Sequence, residues 1–96
     1  MTKFTIRVVL HDDPTWDDYE QLASALAARN ITDVLTNSEG VQYKMPPAEY
    51  QCQGDLSAAE IRDICVAAAK TTGKPHAVLV TESVSRAWVG LKRVDG

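Results

Sequence analysis

The chain has 96 residues, 45% of them hydrophobic and 24% charged, with a formal net charge of −3. That length and balance describe one ordinary globular domain, 1–96, and exclude a low-complexity or fibrous chain. The acidic sum argues against a general nucleic-acid binder, and no apolar run approaches the ~18 residues of a membrane span, so no membrane insertion is expected and cytoplasm is the default compartment.

Phe4 to Leu10 reads as the first strand, with Phe4, Ile6, Val8 and Leu10 on one face and Thr5, Arg7 and Val9 on the other. His11-Asp12-Asp13-Pro14 breaks it. A first helix is predicted from Thr15 to Arg29, with Trp16, Tyr19, Leu22, Ala23 and Leu26 on one stripe. Thr15 or Asp13 is placed to accept from its free amides, and Asn30 is a left-handed cap.

Thr32 to Thr36 is a short strand, Asn37 to Gly40 a turn, and Val41 to Met45 a strand broken by Pro46-Pro47. Residues 32–45 fit either one bulged strand or a separate hairpin. Ala48, Tyr50 and Cys52 resume the alternation. The second helix opens on a capping box, Ser57-Ala58-Ala59-Glu60, with Leu56 and Ile61 placed as a hydrophobic staple. Ile61, Ile64, Cys65 and Ala68 form its buried stripe, and Gly73 and Pro75 end it. His76 to Glu82 is a strand and Trp88 to Val94 another. Cys52 and Cys65, without metal or redox spacing, read as buried thiols.

The order β-α-β-β-α-β, with an extra C-terminal strand, defines an α+β fold. The expected form is a ferredoxin-like sandwich with two helices on one face of a mainly antiparallel sheet. With the first and third strands placed side by side and parallel, His11, Asp12, Asp13, Gln53, Gly54, Asp55, Lys74 and His76 gather at one rim, where both helices begin. Such a rim suits phosphate. Two histidines, His11 and His76, suit acid–base cleavage of a phosphodiester through a 2′-hydroxyl. A metal alternative uses Asp12 or Asp13 with Asp55. Helix capping by Asp13 and Asp55, with solvated loop histidines, is the competing structural reading. No cofactor motif is present: there is no glycine-rich phosphate loop and no H-E-x-x-H or G-x-S-x-G.

Phe4-Thr5-Ile6-Arg7-Val8-Val9, Asp12 and Pro14, Leu22 and Leu26, Glu39-Gly40 and Leu56-Ser57-Ala58-Ala59-Glu60-Ile61 together resemble the GhoS family of small bacterial antitoxins. The resemblance spans Phe4 to Glu82. It implies a ferredoxin-like fold, similar to small CRISPR-associated endoribonuclease-like proteins, and cleavage of the messenger RNA of a small membrane toxin. In that CRISPR group an Asp at the end of the first strand is a metal-site residue, and Asp12 looks like its positional match. The candidate site is then His11, Asp12 and His76 for catalysis, with Lys74 and Arg86 as RNA contacts and no assigned metal ligand. Gln21, Ala23 and Ala25 stand where an RNA-binding first helix could carry arginines, and the Trp88 segment has no counterpart in the family.

Two further classes of function compete: a non-catalytic module for dimerisation or protein interaction, and a small-molecule sensor. The segment Trp88 to Val94 either closes an edge of its own sheet or crosses to a second subunit, making a homodimer.

Overall fold

The computed structural model describes residues 1–94; Asp95 and Gly96, included in the expected domain, lie outside the described residues. Seven elements follow in order: β1 (Thr2–Leu10), α1 (Trp16–Ala27), β2 (Val34–Thr36), β3 (Gln42–Lys44), β4 (Glu49–Gly54), α2 (Ala58–Lys70) and β5 (His76–Ser83). The chain is an α+β protein with two helices and antiparallel sheets.

β1 is the centre of a three-stranded sheet of order β4-β1-β5. Its alternation is the one read from the sequence: Phe4, Ile6, Val8 and Leu10 are all buried. Leu22 and Leu26 of α1, Ile61, Cys65, Ala68 and Ala69 of α2, and Ile31 complete that core with Tyr50 and Cys52 of β4. Both cysteines are free and buried, and burial pushes the Cys65 thiol up to about 12.

The direction of β4 corrects one expectation. β4 runs antiparallel to β1, with Thr2 opposite Gly54 and Arg7 opposite Glu49. The reason is the single reversal between them. The segment around Thr32 pairs antiparallel with Gln51 and so runs with β1; the turn at 37–40 sends the chain back. Residues 34–44 form a separate hairpin, β2 against β3, with Val34 opposite Lys44. Asn37 closes its turn, its Oδ1 accepting from the Glu39 and Val41 amides at 2.9 Å each.

Both helices open on reciprocal caps. The Thr15 hydroxyl accepts from the Asp18 amide while the Asp18 carboxylate accepts from the Thr15 amide. Ser57 and Glu60 do the same for α2, which holds two otherwise free donors at each helix start. Asn30 has a φ of 60°, the expected left-handed cap. One expectation fails on exposure: Trp16 stands 77% exposed on the first turn of α1, outside the core. Ile64 is half-buried and packs against the core, and Leu56 is exposed where Ile61 is buried.

Among the described residues the C-terminal segment forms no regular extra strand; it folds back on its own chain. Beyond β5 it crosses the face of the sheet opposite the helices. Arg86 anchors it: Nη2 donates to the Phe4 carbonyl at 2.7 Å and Nε to Thr5 Oγ1 at 3.0 Å. It then reaches β3, where the Lys44 amide donates to the Lys92 carbonyl and the Val94 amide to the Gln42 carbonyl. The Trp88 ring meets Tyr43 edge-on, centroids 5.9 Å apart. Among the described residues it bridges β3 at Tyr43 to Arg93. Among the described residues no helix is long and apolar enough to cross a membrane.

Candidate functional site

The antiparallel register splits the expected rim in two. At one end of the sheet lie the last residues of β1 and the first of β5. Leu10 stands opposite His76, and the His11 amide extends the ladder by donating to the Pro75 carbonyl at 2.7 Å. Gln53, Gly54 and Asp55 lie at the other end, because Gly54 pairs with Thr2. Asp55 is therefore separated from Asp12 and Asp13 by the length of β1, and the paired-carboxylate metal site is not formed. Among the described residues no three His, Cys, Asp or Glu side chains are grouped to hold a metal ion. The helix ends divide the same way. α1 begins beside the His11 end, and α2 begins at the far end and terminates beside it.

Local backbone shape builds the corner. After His11 the chain turns through two consecutive left-handed residues, Asp12 at φ 62° and Asp13 at φ 52°. Asp is among the few side chains that adopt this region readily. The turn brings the Asp12 carbonyl under Lys74, whose Nζ donates to it at 3.1 Å. Lys74 is itself held by α2's C-terminal turn, its amide donating to Thr72 Oγ1 at 3.2 Å. The Lys74 carbonyl in turn takes His76 Nδ1 at 3.0 Å. A carbonyl only accepts, so Nδ1 carries the proton and Nε2 is left as the acceptor.

His76 alternates with Val78 and Val80, which pack on the core, so the pleat puts it on the helix-covered face, half-buried. His11, one register step beyond Leu10, falls on the opposite face and is exposed. The two imidazoles flank the strand ends instead of sharing one surface. Lys74 keeps two of its three N–H groups for a ligand.

Arg86 takes no part in this corner. Its guanidinium is bound to Phe4 and Thr5 near the start of β1, and burial lowers its pKa, partly offset by Cys52.

One feature of this end was not read from the sequence. A groove of about 430 Å³ lies between the start of α1 and the start of β4, lined by Trp16, Tyr19, Pro47, Ala48 and Tyr50 among others. Tyr19 joins it to the corner, its hydroxyl accepting from the Leu10 amide at 3.0 Å. Helical spacing assigned Trp16 to the core. Its position on the first helical turn, before the stripe meets the sheet, was the available signal for exposure.

No protein-family model matches the chain, and no curated protein matches it.

Proposed function

We propose that the chain is a GhoS-like RNA-binding protein and endoribonuclease of ferredoxin-like fold, acting in the cytoplasm as an antitoxin on a toxin messenger RNA. The fold reading is supported by the sheet order β4-β1-β5 together with the Thr32–Gln51 bridge. That bridge sets the chain before β2 beside β4, the side on which the outer strand of a βαββαβ sandwich would run.

The observation that carries the activity is the relay Asp12 carbonyl, Lys74 Nζ, and Lys74 carbonyl to His76 Nδ1. It orients one imidazole through the Lys74 carbonyl, while the Lys74 ammonium is held at the Asp12 carbonyl of the same corner. His76 Nε2 removes the proton of a 2′-hydroxyl, and the 2′-oxygen attacks the neighbouring phosphorus. The bond to the 5′-oxygen breaks, leaving a 2′,3′-cyclic phosphate and a 5′-hydroxyl. His11, as general acid, supplies a proton to the leaving 5′-oxygen. His11 and His76 stand at the same end of the β1–β5 pair, one on each face, so RNA crossing that end would come near both a general base and a general acid. Lys74 offsets the charge gathering on the phosphate, and exposed Trp16 offers a stacking surface at the same end.

The test is cleavage of a panel of labelled RNAs, with and without Mg²⁺. Replacing His11 and His76 together with Ala should abolish cleavage with an unchanged circular dichroism spectrum. Lys74→Ala should raise KM more than it lowers kcat. Full activity in the double variant, or no cleavage of any RNA by the natural chain, would overturn the reading.

A further inference from the structure

Among the described residues β5 pairs with β1 alone, at the edge of the sheet, and its outer edge is open. The His11–Pro75 bond sets the parity of the ladder: odd-numbered residues of β5 bond to β1. The amides and carbonyls of His76, Val78, Val80 and Glu82 therefore point outward. The register with β1 runs without a bulge from Leu10–His76 to Lys3–Ser83. Within His76–Ser83 there is no proline or lysine to protect the edge. Beside it, Leu79 is 64% exposed on the face away from the helices. Small residues of α2, Ala58 and Ala59, leave an open groove above Val78 and Val80.

We propose that a second copy of this chain pairs antiparallel with β5 about a two-fold axis through Leu79, joining the two three-stranded sheets into one. The register follows from parity and charge. Outward-pointing residues must face one another, so the axis passes through a residue and not between two. An axis at Leu79 pairs Val78 with the partner's Val80 and sets the His76 imidazole opposite the partner's Glu82 carboxylate. It also brings the exposed Leu79 onto the partner's Leu79, removing two exposed leucines from water at the centre. Moving the axis to Val78 leaves Glu82 outside the paired strands. Moving it to Val80 sets Glu82 against the partner's Val78. Only the Leu79 axis uses the whole His76–Glu82 stretch with complementary ends.

This assembly does not depend on RNA cleavage. Because it draws on His76, pairing and RNA compete for that imidazole. The test is sedimentation velocity of the full chain across the micromolar range, without RNA, alongside amide exchange. A dimer is expected at high micromolar concentration, with the Val78 and Val80 amides gaining protection as concentration rises. Leu79→Lys, at an exposed position, should give a monomer with an unchanged melting temperature. Glu82→Lys should weaken the dimer at least tenfold, and adding His76→Glu should restore it. Monomers at every concentration, protection of Val78 and Val80 that ignores concentration, or a dimer indifferent to Leu79→Lys would each overturn the proposal. Loss of RNA cleavage in His76→Ala with a measurably weakened dimer would support it, and a dimer as tight as that of the natural chain would overturn the register.

Discussion

Replacing Arg86 with Ala removes the anchor of the C-terminal segment. The guanidinium makes two hydrogen bonds, at 2.7 Å to the Phe4 carbonyl and 3.0 Å to Thr5 Oγ1. Bonds from a charged donor contribute about 1.5–3 kcal/mol each. The side chain is half-buried, so the pair is placed at the low end, about 2–3 kcal/mol together. A domain of this length has a total stability of about 5–14 kcal/mol, so the loss is a substantial part of it. Each kcal/mol moves the midpoint by about 4–8 °C in a domain this small. Thermal unfolding followed by circular dichroism should therefore drop by roughly 10–20 °C. Amide exchange locates the effect. The Lys44 and Val94 amides, which depend on the segment's pairing with β3, should lose protection, while the Val8 amide, bonded to the Ala48 carbonyl, should keep it. Arg86→Lys should fall between the two, since a single ammonium cannot reproduce the planar fork. A midpoint shift under about 2 °C, well below the 4–8 °C expected per kcal/mol, with Lys44 still protected, would refute the anchor.

The core is tested by a contrast. Leu22 is fully buried and Ile64 half-buried, so Leu22→Ala should cost about 3–5 kcal/mol and Ile64→Ala about 1–2 kcal/mol in denaturant unfolding; equal losses would mean that the α2 face is misplaced. Alkali provides a third test. Burial raises Cys65 from 9.0 to about 12. Burial, and then Asp33, raises Tyr50 from 10.0 to about 12. Both folded values exceed the unfolded ones, so their contribution is complete below pH 9 and is lost as the pH rises toward 12. Stability should decline over that window, less steeply in Cys65→Ala, and neither thiol should react with a thiol reagent at neutral pH while the chain is folded.

Local patterns determined the elements. The alternation of Phe4, Ile6, Val8 and Leu10 fixes the buried face of β1 whatever lies beside it, because the pleat has a period of two. The Ser57–Glu60 box starts α2 because its bonds close within one turn. Asn30 and Gly73, at φ 60° and 75°, end the helices for reasons internal to their own residues. Burial of Cys52 and Cys65 followed from the same periodicities.

What only the tertiary structure decided was which ends of these elements meet. A strand's own sequence carries no information about the direction of its neighbour. That direction came from the reversal in the β2–β3 hairpin, and it sent Asp55 to the end of the sheet away from Asp12. His11 and His76 were legible as two histidines near strand ends, but their opposite faces depended on the Leu10–His76 register. Lys74 gained its place from a backbone carbonyl 62 residues away in sequence. The strand-forming residues from Trp88 onward promised a strand. A long-range bond from Arg86 to Phe4 instead laid that segment across the sheet, because the energy of such a contact exists only once both partners are in place.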